Sequence, residues 1–221
     1  MTTHASPRVI AIEEAVQGKN QERADRNRQM FHDAGVLTIN MMSSPGSGKT
    51  ALLETTLARF EGRKKAAVIV GDLATDNDAQ RLSGHGAEVV QITTGGYCHL
   101  DADMIARALS GIGLQGLDIL IIENVGNLVC PATFDLGEDL KIGLVSTTEG
   151  EDKPLKYPSL FARVDAAVIN KIDIGEIVGW DRAAAHFALG KAAPQAKLFE
   201  LSARTGQGVD EWCTWLEGQM H

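Results

Sequence analysis

Continuous apolar runs rich in β-branched residues recur along the chain at 36–42 (VLTINMM), 66–72 (AAVIVGD), 87–93 (AEVVQIT), 117–124 (LDILIIEN), 141–147 (KIGLVST), 165–171 (DAAVINK) and 197–203 (KLFELSA). Apolar positions in these runs are contiguous rather than alternating. The strands they predict are therefore covered on both faces, as in a parallel sheet between layers of helices. Between them, 50–60 (TALLETTLARF) and 102–109 (ADMIARAL) carry helical patterns. This alternation predicts an α/β fold of three layers, with a mostly parallel central sheet flanked by helices. Residues 13–34 are polar and charged with sparse apolar positions. They predict one or two helices packed on the sheet edge, so residues 1–34 read as a helical extension and 35–221 as the main domain.

With 221 residues and 44 % hydrophobic content the chain suits one substantial core. Its net charge of −8 argues against sequence-independent binding to nucleic acid or to an anionic membrane. No apolar stretch reaches spanning length, and the first residues lack the pattern of a secretory leader. Three widely separated cysteines do not suggest a disulfide framework, and a reducing cytoplasm fits them best.

The first strong run leads into SSPGSGKT (43–50) and then a helical pattern. Strand, glycine-containing loop, Lys-Thr and helix is the order that a phosphate-binding loop requires. Amides at Gly46, Ser47 and Gly48 can turn toward a β-phosphate, and the helix beginning with Thr50 and Ala51 adds its unpaired N–H groups. Lys49 supplies a mobile cation for the β- and γ-phosphates, and Thr50 a hydroxyl for Mg²⁺. The usual pattern starts with Gly where this chain has Ser43. The fold class is thus a three-layer P-loop NTPase.

NKID (170–173) ends the sixth run and SAR (202–204) the seventh. A carboxylate at Asp173 can accept from N1–H and the 2-amino group of guanine, whereas adenine presents an acceptor at N1. Asn170 and Lys171 would brace the loop and cover the ring, and the Ser202–Ala203 backbone could reach the guanine carbonyl. GTP is the expected nucleotide. Asp72 and Glu123, at two further strand ends, join Thr50 as candidate Mg²⁺ ligands, and Gly126 could approach the γ-phosphate through its N–H. Asp78 either caps a helix or positions the attacking water, for which Asp72 and a main-chain group are the alternatives. No arginine is assignable to the transition state, which predicts slow turnover, well below about one per second.

TGGYCHLDADM (94–104) follows the third run, and Cys130 lies seven residues beyond Glu123 in ENVGNLVCP (123–131). Cys98, His99 and Cys130 therefore hang from segments near the phosphates. Thiolate and imidazole suit Zn²⁺ or Ni²⁺. Three donors would be completed by a symmetric dimer, while the competing reading is a pair of packing thiols. Cys213, in DEWCTWLEG, reads as a core residue.

SSPGSGKT, GDLATDNDAQRL, TGGYCHLDADM, ENVGNLVCP, TTEGEDKPLKYP and NKID together, over 43–173, resemble the HypB family of dimerising metallochaperone GTPases. That resemblance implies Ni²⁺ or Zn²⁺ bound by Cys98, His99 and Cys130 at a dimer interface, and a homodimer favoured by GTP and metal. It also implies nickel insertion during [NiFe] hydrogenase maturation, with two partners: the zinc-containing nickel-delivery protein HypA and the hydrogenase large-subunit precursor. Some members begin with a CxxCGC motif or carry histidine-rich tracts. Neither is present here, so metal handling is expected to rest on the GTPase domain. The competing readings are a non-catalytic, nucleotide-dependent metal carrier and the related urease nickel GTPase. The latter places Pro between its Cys and His, which are adjacent in this chain.

Overall fold

The computed structural model describes residues 7–72 and 77–220, with side chains for all of these except 7–16, 77, 78 and 80. Among the described residues, seven strands form one sheet: β1 (Leu37–Ser43), β2 (Ala66–Asp72), β3 (Glu88–Thr93), β4 (Ile119–Glu123), β5 (Leu140–Ser146), β6 (Ala166–Asn170) and β7 (Lys197–Glu200). Their order is β3-β2-β4-β1-β5-β6-β7, and every pairing is parallel. All seven apolar runs of the sequence thus become strands. β1, β4 and β6 are buried along their whole length, which is why their apolar positions do not alternate.

The helices are α1 (Pro7–Ala34), α2 (Lys49–Phe60), α3 (Asn77–Ser83), α4 (Ala102–Ala108), α5 (Lys153–Lys156), α6 (Pro158–Phe161), α7 (Arg182–Ala192) and α8 (Val209–Glu217). On one face of the sheet, Leu52, Leu53 and Leu57 of α2 and Trp212, Cys213 and Leu216 of α8 meet Ile39, Met41, Ile121 and Val168. Cys213 is therefore a core residue, as its amphipathic setting predicts, and burial pushes its thiol up to about 11. The other face divides in two. Phe31 of α1 and Ile105 of α4 pack on Ala67, Ile69, Leu120 and Ile122, while α6 and α7 cover Val145, Ala167 and Ile169.

The N-terminal segment is one helix, and it lies over this second face rather than on the sheet edge; the edge strands are β3 and β7. Its apolar stripe is thin because much of its docking is polar. Asn27 is fully buried and donates to the Ala102 and Leu136 carbonyls at 2.8 and 3.0 Å. Asn20 donates to Asp135 O and accepts from Ala102 N. Arg28 grips both oxygens of Asp135 at 2.7 Å. Buried amide N–H groups paired in this way specify a position as firmly as apolar contacts do, although Asn27 Oδ1 is left without a partner, and they leave no hydrophobic periodicity to read.

Candidate functional site

All strands being parallel, their C-terminal ends form one rim, and the topological switch lies where β1 separates β4 from β5. From the end of β1 the chain turns through 44–48 into α2. Gly48 has φ +94, and a Cβ there would stand 2.5 Å from Asn170 Nδ2, so only glycine lets the loop close on β6. Lys49 is buried and donates to Ser43 Oγ at 2.9 Å. The Ser43 that departs from the usual glycine thus supplies a hydroxyl acceptor for the loop lysine.

One cleft is lined by Gly46, Gly48, Lys49, Thr50, Ala51, Asp72, Glu123 and Gly126, with Arg81 at its side. Here the structure brings together residues from four separate segments of the chain. Thr50 Oγ1 donates to Glu123 Oε1 at 2.8 Å. With Asp72 on the same wall, the donor set is hard oxygen throughout, which fits Mg²⁺. Gly126 presses on the phosphate loop: a Cβ there would meet Pro45 Cα at 3.0 Å. Ser47 turns away and donates to Glu149 Oε1 at 2.6 Å. Burial would raise Glu149, but hydrogen bonds from Ser47, Ser44 and Lys153 outweigh it and hold the carboxyl below its usual range.

Arg81 was not legible in the sequence. It sits on the short helix α3 and makes a two-pronged contact with Glu54 of α2, at 3.1 and 2.6 Å. Its nearness to the cleft follows from how α3 leans on α2, which residue spacing does not encode. The backbone of Asp78 belongs to α3; its side chain, and with it the choice between cap and water-positioning group, lies outside the described residues.

Asp173, Ser202 and Ala203 do not line the phosphate cleft but stand beyond the ends of β6 and β7. Asn170 ties these regions together. Its Nδ2 donates to Ser47 O at 2.9 Å, and its Oδ1 accepts from Lys171 N and Ala203 N at 2.7 and 3.0 Å. Lys171 adopts φ 63, an uncommon backbone for a lysine, and sends Nζ to Gly46 O at 2.7 Å. Hydrogen bonding from Ser202, with Arg204 alongside at 2.6 Å, holds the Asp173 carboxyl below the ordinary range.

The second constellation is the sulfur and imidazole set. Cys98 Sγ lies 2.8 Å from Cys130 Sγ and 3.8 Å from His99 Nδ1. Ligand atoms of all three residues fall within 4.8 Å of one another, so two distant cysteines and a histidine have converged. His99 stacks on Phe134 with ring centroids 3.9 Å apart. Burial lowers its pKa, opposed by Asp101, and a neutral imidazole is the ligating form. The hydrogen bond to Cys98, reinforced by burial, raises the Cys130 thiol. Soft, closely spaced donors of this kind fit Ni²⁺ or Zn²⁺.

Fold and cleft define a P-loop nucleotide-binding protein that also carries a thiol-imidazole cluster beside its cleft. The family described as CobW/HypB/UreG, nucleotide-binding domain, matches residues 37–198, and the chain belongs to that family. Within it, HypB proteins are among the chain's relatives. The hydrogenase maturation factor HypB of Escherichia coli (strain K12) is 46 % identical over 212 residues, covering 96 % of this chain and 73 % of that protein. The crystal structure of the Archaeoglobus fulgidus hydrogenase maturation factor HypB superposes with TM-score 0.85 at 39 % identity, covering 91 % of this chain and 98 % of that one. HypB from Helicobacter pylori, solved in complex with nickel, gives TM-score 0.85 at 41 % identity, covering 91 % and 94 %.

Proposed function

We propose that the chain is a GTP-hydrolysing nickel metallochaperone that assists nickel insertion into a [NiFe] hydrogenase large-subunit precursor. The observation that carries this reading is the placement of Cys130 on the connection that leaves Glu123, with Cys98 and His99 converging on it. Family membership and the nickel complex of the Helicobacter pylori relative support nickel as the cargo. Phosphates are held by amides of Gly46, Ser47, Gly48 and Ala51 and by Lys49, with Mg²⁺ on Thr50, Glu123 and Asp72. Asp173 reads guanine, braced by Asn170, Lys171, Ser202 and Ala203. The water is positioned by Asp72, Asp78 or a main-chain group, and Gly126 senses the γ-phosphate. Occupancy of the γ-phosphate position fixes the loop bearing Cys130, and hydrolysis releases it. The active form is a homodimer favoured by GTP and metal. It receives nickel from the zinc-containing protein HypA in the cytoplasm and uses neither nucleic acid nor a membrane. Among the described residues no helix is long and apolar enough to cross a bilayer.

Two measurements test this reading. Purified protein with GTP and Mg²⁺ should release phosphate slowly, below about one per second, and Lys49→Ala should fall to background. Equal rates would leave a carrier that uses nucleotide without hydrolysing it. In nickel titrations, Cys98→Ala and Cys130→Ala should each lose the bound ion. An unchanged stoichiometry would reduce the thiols to packing.

A further inference from the structure

The geometry points to Asn124 and Asn127 as positioning residues that clamp the Cys98–Leu100 segment to the connection between Glu123 and Cys130, making the link between the nucleotide cleft and the metal cluster. This inference rests on the proposed coupling of nucleotide state to metal binding and assigns that coupling to two side chains.

Asn124 follows the last residue of β4 and is 1 % exposed. Its Oδ1 accepts from Leu100 N at 3.2 Å and Val125 N at 3.0 Å, and its Nδ2 donates to Asn40 Oδ1 at 3.2 Å. Turning the amide over would aim its NH₂ group at two N–H donors, so its orientation is fixed. Asn40 is held in turn: its Nδ2 donates to Glu138 Oε1 at 3.1 Å, while Glu138 Oε2 accepts from Leu136 N at 2.7 Å. Three residues further on, Asn127 Nδ2 donates to Cys98 O at 3.3 Å and its Oδ1 accepts from Val129 N at 2.8 Å.

The segment carrying two of the metal donors is therefore held at Cys98 O by Asn127 and at Leu100 N by Asn124. The fully buried Leu100 side chain also lies against Gly71, the residue before Asp72. These anchors adjoin three positions of the phosphate cleft: Asp72, Glu123 and Gly126. Gly126 lies between the two asparagines in sequence and against Pro45 in space. A terminal phosphate that draws in the Gly126 amide shifts Asn127, and Asn127 carries the Cys98 carbonyl with it. Leu100 stays held by Asn124 and against Gly71, so the Cys98 end of the segment turns about that anchor and the spacing of the Cys98 and Cys130 sulfurs changes. Such a link has the physical content that coupling requires, a packed and hydrogen-bonded element that both sites bias.

The test is nickel affinity, measured by titration with Ni²⁺ alone, in the GDP form and with a non-hydrolysable GTP analogue. Wild-type affinities should differ by about fivefold or more between the two states. In Asn127→Ala, which removes the half-buried bonds to Cys98 O, Val129 N and the Cys130 thiol but leaves all three donors in the chain, nickel still binds and the ratio falls toward unity. Asn124→Ser should do the same and, if folded, also speed hydrogen exchange at the Leu100 amide. Should the buried variant not fold, Asn127→Ala decides alone. A wild-type ratio that survives in Asn127→Ala overturns the clamp while leaving the proposed function standing. Loss of nickel in both states of that variant also overturns it, because Asn127 would then belong to the metal site itself. Equal wild-type affinities in the two nucleotide states overturn the proposed coupling of nucleotide state to metal binding and the clamp together.

Discussion

At Asp173 the carboxylate faces Ser202 and Arg204 and, held below its usual pKa, is an acceptor alone at neutral pH. Guanine offers two donors along the edge that such a group can meet. Asp173→Asn replaces one acceptor oxygen by a donor NH₂. With charge-assisted hydrogen bonds at about 1.5–3 kcal/mol each, GTP should bind roughly a hundredfold more weakly. Xanthosine triphosphate, whose 2-oxo group accepts where guanine donates, should bind better than to the wild type. Nucleotide titration checks both, and unaltered GTP affinity would place the base elsewhere. Asp173 stands out as a candidate in the sequence because NKID is short and closes a predicted strand. Asn40 and Asn124 do not: each reads as a polar interruption of an apolar run. Their mutual bond depends on the register that sets Asn40 beside Ile122 and Met41 beside Glu123, which is a property of the paired strands and of neither segment by itself.

Among elements, the sheet was the most legible part, because burial on both faces writes itself into a strand as uninterrupted apolarity. Helices α5 and α6 are short and proline-led and leave no comparable pattern. α1 was misplaced for a different reason, its dependence on amide and ion-pair contacts with the 135–137 turn. That dependence has a pH signature. Burial alone would raise the Asp135 carboxyl, yet the Gly137 amide, Arg28 and Gln21 outweigh it and hold it at about 2, from an ordinary 3.8. A folded-state pKa below the unfolded value stabilises the fold above the unfolded pKa, and the contribution drains away as pH falls toward the folded one. The shift corresponds to about 2 kcal/mol. Asp135→Asn should therefore lower stability in urea by about that amount at neutral pH. Its deficit relative to wild type should shrink between about pH 4 and pH 2. A deficit of the same size across that range would mean that Asp135 holds α1 by shape and neutral hydrogen bonds rather than by charge.

For the whole molecule the proposed metal site raises the matter of further donors. Cys98, His99 and Cys130 supply three donors among the described residues, and Zn²⁺ in structural sites takes four. Beside them Tyr97 is 62 % and Val129 55 % exposed, large apolar side chains that flank the ligands on both segments. A twofold axis near the cluster would set the same two residues of a second copy against these, covering the apolar surface and doubling the donors. Opposing this, each chain carries a net charge of −8, so two copies repel. Metal and apolar contact must overcome that repulsion, and salt screens it over about 8–10 Å at moderate ionic strength. Light scattering should accordingly report one chain with GDP and no metal, and two with a GTP analogue and Ni²⁺, the dimer tightening as salt rises. Val129→Asp would set like charges across the axis and weaken dimerisation by tenfold or more, at about 1.4 kcal/mol per decade, while leaving GTP affinity of the single chain unchanged. If the mass stays that of one chain under every combination of nucleotide and metal, the missing donors come from water or from a different protein, and the exposed Tyr97 and Val129 face that protein instead.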